Sequence, residues 1–208
     1  MSGVPDGSVW VNWARKLDAM ARIGSEFAEN PYDQRRYAEL ASIARGMFAE
    51  LSGRPEVELP DLYHHTEGYV TPKVDVRAAV FDEQHRLLLV REVADGRWSL
   101  PGGWADVGDS PSVSAAREVY EESGYTTRLT HLVGVFDAHD PTTPFSAYKI
   151  VFSGELTGGE AGGDHETDGV GFFPADALPP LSHRRTPDRV VAAIFAHHAD
   201  PNLPALFE

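Results

Sequence analysis

The chain has 208 residues, 42% of them hydrophobic, enough for one domain of ordinary size and a small appendage. Its 32 acids against 18 bases give a formal net charge of -14, which opposes non-specific binding to nucleic acid, where Lys and Arg neutralise phosphate. The absence of cysteine, of a charged-then-apolar leader and of any apolar run of about 18 residues excludes a disulfide framework and a thiolate metal site, and predicts a cytoplasmic protein with no membrane span.

In chain order, Trp10, Trp13, Ala14, Leu17, Met20, Ala21, Gly24 and Phe27 recur at helical spacing, predicting an amphipathic helix over 8–27 with both tryptophans on its buried side. Asn30 and Pro31 interrupt it. A second helix is predicted over 32–51, with Tyr37, Leu40, Ile43, Ala44, Met47, Phe48 and Leu51 on one face, and Gly53-Arg54-Pro55 ends it. Residues 1–55 thus read as a helical hairpin that must dock on the main domain or on a second copy of the chain. Residues 56–71 are polar and broken by Pro60, a linker whose adjacent His64 and His65 lack helical ligand spacing.

The main domain is expected over 72–208. Strands are predicted at 74–81, 86–90 and 98–100, then at 129–136, 146–156 and 170–173, with a terminal helix at 187–199. Strands with a helix on either side make an α+β sandwich. The glycine-rich run 158–163 is expected to be mobile and to close over a ligand, because ordering glycine is entropically costly.

Between these strands lies the most informative stretch, LPGGWADVGDSPSVSAAREVYEESGY at 100–125. Ser110 suits an N-cap, Pro111 the first helical turn, and Gly124 a left-handed C-terminal residue, so a glycine loop hands over directly to a helix. Glu118, Glu121 and Glu122 stand three and four apart and share a face. Val113, Ala115, Ala116, Val119 and Tyr120 are expected to pack inward. Like charges so placed repel by roughly 0.2 to 0.5 kcal/mol per pair unless a cation sits between them. Hard divalent ions with oxygen ligands, Mg²⁺ or Mn²⁺, suit such a site.

A glycine, five residues, an acid, seven residues and then REVYEESGY resembles the signature of the Nudix hydrolases, which cleave a nucleoside diphosphate linked to another moiety. Gly103, Arg117, Glu118, Val119, Glu121, Glu122, Gly124 and Tyr125 match it, whereas Asp109 stands where the family has glutamate. The resemblance implies a Nudix-type α/β/α sandwich with a mixed sheet. It also implies Glu118, Glu121 and Glu122 as ligands of Mg²⁺ or Mn²⁺, with the Gly103 carbonyl as a further ligand and Arg117 orienting a carboxylate. Asp109, beside Gly102 and Gly103, would brace the loop or hold metal-bound water, and Glu118 and Glu166 are rival general bases. The hairpin is similar to the helical extension of the branch that includes CDP-choline and ADP-ribose pyrophosphatases; it reads either as a packing appendage or as the interface of a homodimer that helps wall the substrate site.

The expected substrate is a small nucleotide, with Arg77, Arg91, Arg184 and Arg185 as candidate phosphate contacts because a guanidinium pairs its donors with phosphate oxygens. Trp10, Trp13 and Tyr69 are candidates for base stacking. A second reading is a regulatory module of the same fold that binds a nucleotide without cleaving it. The retained carboxylates and the lack of a basic recognition helix favour the enzyme.

Overall fold

The computed structural model describes residues 7–53, 70–106, 108–138, 143, 145–163 and 165–208. The chain divides into two units, Met1–Lys73 with His139–Ser146, and Val74–Ala138 with Ala147–Glu208. Among the described residues no helix is long and apolar enough to cross a membrane.

The first unit contains helices α1 (Gly7–Phe27) and α2 (Pro31–Ser52). Asn30 caps α2 by accepting from the amides of Tyr32 and Asp33 at 3.0 and 2.9 Å, Pro31 opens the first turn, and Gly53 ends the helix at φ 66°. Small side chains let the helices approach: Val11, Ala14 and Phe48 form the buried seam, and a Cβ on Gly24 would overlap the Tyr37 ring at 2.2 Å. Arg15 secures residue 143, donating from Nε and Nη2 to the Thr143 carbonyl at 3.0 and 2.6 Å.

The seam is narrower than the periodicity suggests. Trp10 and Trp13 meet edge to face at 4.9 Å, and Trp13 is exposed rather than on the buried side. Met20, Phe27 and Ile43 are 61%, 68% and 52% exposed. The predicted linker, including His64, His65 and Tyr69, lies outside the described residues, apart from its last two positions.

The second unit is an eight-stranded sheet flanked by helices α3 (Pro111–Ser123) and α4 (Asp188–Ala199). Its strands are β1 (Lys73–Phe81), β2 (Leu87–Glu92), β3 (Trp98–Ser99), β4 (Gly102–Trp104), β5 (Tyr125–Asp137), β6 (Ala147–Gly159), β7 (Thr167–Phe173) and β8 (Leu206–Phe207). The order is β3-β2-β1-β6-β5-β8, with β4 on β1 and β7 on β2. Antiparallel pairs combine with a parallel β5–β8 pair, so the sheet is mixed.

Alternation along the central strands builds two cores. Ala79, Leu87, Leu89 and Val151 face Val190 and Ile194 of α4, while Ala78, Val80 and Leu88 face Val119 of α3. Covered on both sides, β1 and β2 therefore read as near-continuous apolar runs. This is the expected α/β/α sandwich.

Strands β5 and β6 run to Tyr125 and Gly159, beyond their predicted apolar segments, because their outer halves carry exposed polar residues that pair only with each other. The glycine run is not a detached lid. Gly158 and Gly159 pair with Thr126 and Tyr125, and the Gly162 amide donates to the Ser123 carbonyl at 2.9 Å. Glycine is required there because a Cβ on Gly159, at φ 90°, would lie 2.3 Å from the Gly124 carbonyl oxygen.

Candidate active site

The site is assembled where β4 enters α3. The double glycine is itself a strand: Gly102, Gly103 and Trp104 pair with Arg77, Val76 and Asp75 of β1. Gly102 has φ 144°, and a Cβ there would sit 2.0 Å from the Val76 carbonyl oxygen, so no other residue allows this approach. The N-terminal cap of α3 is as expected, with Ser110 accepting from the Val113 amide at 3.4 Å and Pro111 in the first turn. Gly124 closes the helix at φ 74°.

The three glutamates share one side of α3 but not one environment. Glu122 is 4% exposed, and its Oε2 accepts from the Gly102 amide at 2.8 Å. Burial pushes its carboxyl up to about 8, with the Glu92 and Glu118 carboxylates adding to the shift and Arg77 and the Gly102 hydrogen bond opposing it. Glu118 lies against Gly103, where a Cβ would stand 3.1 Å from its Oε2. Desolvation raises its pKa, and Glu121 and Glu166 act in the same direction. Glu121 lies outermost and takes a 2.7 Å hydrogen bond from Arg117. The expectation that Val113 and Tyr120 pack inward is corrected. Glu122 turns inward, while Val113 and Tyr120 stay exposed, because the buried side of α3 is formed by Ser114, Ala115, Val119, Glu122 and Ser123.

Arg117 is the hub of the outer cluster. Its Nη2 meets Asp106 at 2.7 Å and its Nη1 meets Glu121 at 2.7 Å and Glu118 at 3.3 Å, while Asp109 is 3.7 Å from Nε. Asp109 thus touches the loop network, though Asp106 holds the stronger contact. Glu166 has an exposed carboxylate, within electrostatic reach of Glu118, and its backbone carbonyl accepts from the Val93 amide at 2.9 Å.

The four candidate phosphate arginines do not form one group. Arg77 is buried, with Nε on Asp75 Oδ1 at 2.8 Å and Nη1 on the Leu100 carbonyl at 2.9 Å. An arginine so enclosed has no donor facing solvent, which corrects its expected role as a phosphate contact. Arg185 is also engaged, at 3.2 Å from both Glu92 and Asp95, and braces the turn where Ser182 donates to Asp95 at 2.7 Å. Arg91 holds Asp168 across the β2–β7 pair at 2.7 Å. Arg184 is exposed.

Residues that the motif reading passed over complete the site. Asp75, Lys149 and Glu92 are buried, and Asp106 and Trp104 flank the loop. A signal for one pair exists, since Asp75 and Arg77 stand two apart in an otherwise apolar strand and so share a face.

Among the described residues, no group of three or more His, Asp or Glu side chains converges as a metal cage, because Glu121 is drawn to Arg117 and Glu122 to the Gly102 amide. The donor set nonetheless fits a hard divalent ion. It consists of carboxylate oxygens, and Glu118 and Glu122 resist ionisation through burial and mutual repulsion that an adjacent dication would relieve.

Comparison with known proteins places the chain in a family. Residues 71–194 match the model of the NUDIX domain, and residues 8–63 that of a UDP-X-like, N-terminal oligomerisation domain. A Bacillus subtilis protein named "Putative ADP-ribose pyrophosphatase YjhB" is 38% identical over 202 residues, covering 96% of this chain and 97% of its own. Among solved structures, a UDP-X diphosphatase aligns with a TM-score of 0.61 at 27% identity, over 98% of this chain and 99% of its own. An ADP-ribose pyrophosphatase from Streptococcus suis aligns with a TM-score of 0.58 at 37% identity, over 66% of this chain and 100% of its own. With its signature glutamates held on α3 behind the paired glycine strand, the chain belongs to the Nudix hydrolase family.

Proposed function

We propose that the protein hydrolyses the pyrophosphate bond of a nucleoside diphosphate linked to X, such as ADP-ribose, CDP-choline or a UDP-linked compound, releasing a nucleoside monophosphate with Mg²⁺ or Mn²⁺. The observation that carries this reading is the pair of carboxyl groups beside Gly102 and Gly103, Glu122 buried and Glu118 partly buried, both with raised pKa values. The names of its relatives support the substrate class.

A pyrophosphate resists hydroxide because its oxygens are anionic, so charge neutralisation and an aligned water are what a catalyst must supply. A bound divalent ion supplies both when Glu118, Glu121, Glu122 and the Gly103 carbonyl hold it. This chain's residues do the rest. The Gly102 amide fixes one oxygen of Glu122 and leaves the other available. Arg117 steers Glu118 and Glu121 while anchored to Asp106, with Asp109 bracing the same loop. Glu118, partly desolvated, and Glu166, exposed, are the two groups placed to accept the proton of the attacking water. Arg91 and Arg184 are the proposed phosphate contacts nearest to solvent, the former released from Asp168 on binding.

The proposed organisation is a helical hairpin at 1–55, a linker at 56–71 and a catalytic domain at 72–208, in a cytoplasmic homodimer. The exposed apolar side chains of the hairpin and its match to an oligomerisation domain support the dimer. Assay of ADP-ribose, CDP-choline, UDP-glucose, NADH and nucleoside triphosphates with each metal tests the activity. Release of a nucleoside monophosphate that stops on chelation is expected. If no compound turns over but one binds, the regulatory-module reading replaces this one.

A further inference from the structure

Charges outside the signature meet at one buried spot beneath the glycine loop. Asp75 and Arg77 share a face of β1, and Lys149 of β6 reaches the same carboxylate at 2.8 Å. Arg77 and Lys149 are only 5% and 2% exposed. Two cations on one carboxylate leave surplus positive charge, which is expensive to bury unless further anions lie near. Glu92 lies within electrostatic reach of Arg77, as does the Glu122 carboxyl, which burial holds largely protonated until a cation binds.

The guanidinium also holds the loop. Its Nη1 donates to the Leu100 carbonyl at 2.9 Å, and its stem packs on Gly102, where a Cβ would stand 2.8 Å from Arg77 Cδ. Gly102 is the residue whose amide grips Glu122 at 2.8 Å. Arg77 therefore touches the chain just before and at the amide that orients Glu122. Asp75, braced by Lys149, takes two bonds from Arg77, at 2.8 and 3.3 Å, so the guanidinium plane has no freedom to turn.

We propose that Arg77 is a positioning residue for the divalent-metal site: by pinning Leu100 and Gly102 it orients Glu122 and sets how tightly the substrate-free chain holds the ion. This rests on the reading of Glu122 as a metal ligand. A merely electrostatic role has the opposite consequence, because a fixed cation near a dication weakens its binding. A lysine keeps the charge but cannot fork between Asp75 and the Leu100 carbonyl.

The test is Mn²⁺ binding to the substrate-free protein, followed by the electron paramagnetic resonance of free Mn²⁺. Arg77→Lys is expected to weaken binding by about tenfold or more, the range of losses for groups that orient metal ligands. The metal concentration for half-maximal activity should rise while KM for the nucleotide stays unchanged. In a Glu122→Gln background the same change should cost less than about threefold, because the two act as one unit. In the wild-type chain, which needs no substitution, Mg²⁺ should shift the nuclear magnetic resonances of the Gly102 amide and of Arg77 Nε–H together. The proposal is overturned if folded Arg77→Lys binds Mn²⁺ as the wild type does, if its loss is the same with Glu122→Gln, or if Gly102 shifts alone. Absence of Mn²⁺ binding by the wild type overturns the metal reading as well.

Discussion

Two arginines organise the site, and their settings differ in kind. Arg77 is sealed between sheet strands, with Asp75, Lys149 and the Leu100 carbonyl at 2.8 to 2.9 Å from their partners. Arg117 sits at the rim among Asp106, Asp109, Glu118 and Glu121. Buried pairs are costly to break because a stranded charge cannot reach water, whereas rim pairs exchange partners at a cost of about 0 to 1 kcal/mol. One cluster encloses its arginine beneath the loop; the other leaves Glu121 on an exposed contact that can exchange partners.

Changes that break this contrast can be ordered by size. Glu122→Gln keeps the acceptor for the Gly102 amide but removes the proposed ligand charge, so turnover should fall by several orders of magnitude with the circular dichroism spectrum unchanged. Asp75→Ala strands Arg77 and Lys149 together and should lower the unfolding free energy by about 3 to 5 kcal/mol in urea. Asp106→Asn removes only a rim contact and should change it by less than about 1 kcal/mol.

Between the second and third of these stands pH. Glu122 has its folded pKa raised from 4.5 to about 8, so its stabilising protonated form is fully present below about 4.5 and lost as pH rises through about 8. Glu118 shifts in the same direction. Lys149, pushed down from 10.5 to about 8 by burial and then by Arg77, loses stability as pH falls from 10.5 to about 8 and contributes no slope below that. Asp75, held below its usual range by Arg77 and Lys149 despite burial, acts only in acid. Metal-free protein should therefore lose a few kcal/mol in urea melts between pH 5 and 8, a slope that Glu122→Gln should flatten and Mg²⁺ should suppress.

The two clusters were unequally legible. Ser110, Pro111 and Gly124 mark α3, and spacing puts the three glutamates on one side of it, because caps and helical neighbours are local in sequence, while the role of Arg117 follows only from the resemblance to the family signature. The layered fold followed from the apolar runs of β1 and β2. What pins the loop was less visible. Asp75 and Arg77 carry a local sign, two charges on one face of an apolar strand, but Lys149 lies on another strand and Glu92 looks like the polar end of β2. Charge pairing across a sheet depends on strand order, which no spacing within one segment encodes. Burial of Glu122 was hidden for the same reason, since it requires the glycine strand to lie over the helix. Strand β8, two residues long, offers no periodicity to read.

In the proposed function, Glu122 is held short of ionisation until a divalent ion binds. Selective ¹³C labelling of glutamate side chains, with the Glu122 carboxyl assigned from Glu122→Gln and titrated with and without Mg²⁺, measures this directly. Titration near pH 8 is expected in the metal-free protein, with an ionised carboxylate at pH 7 once Mg²⁺ is added. A Glu122 signal that titrates at the ordinary 4.5 and does not respond to Mg²⁺ would contradict it.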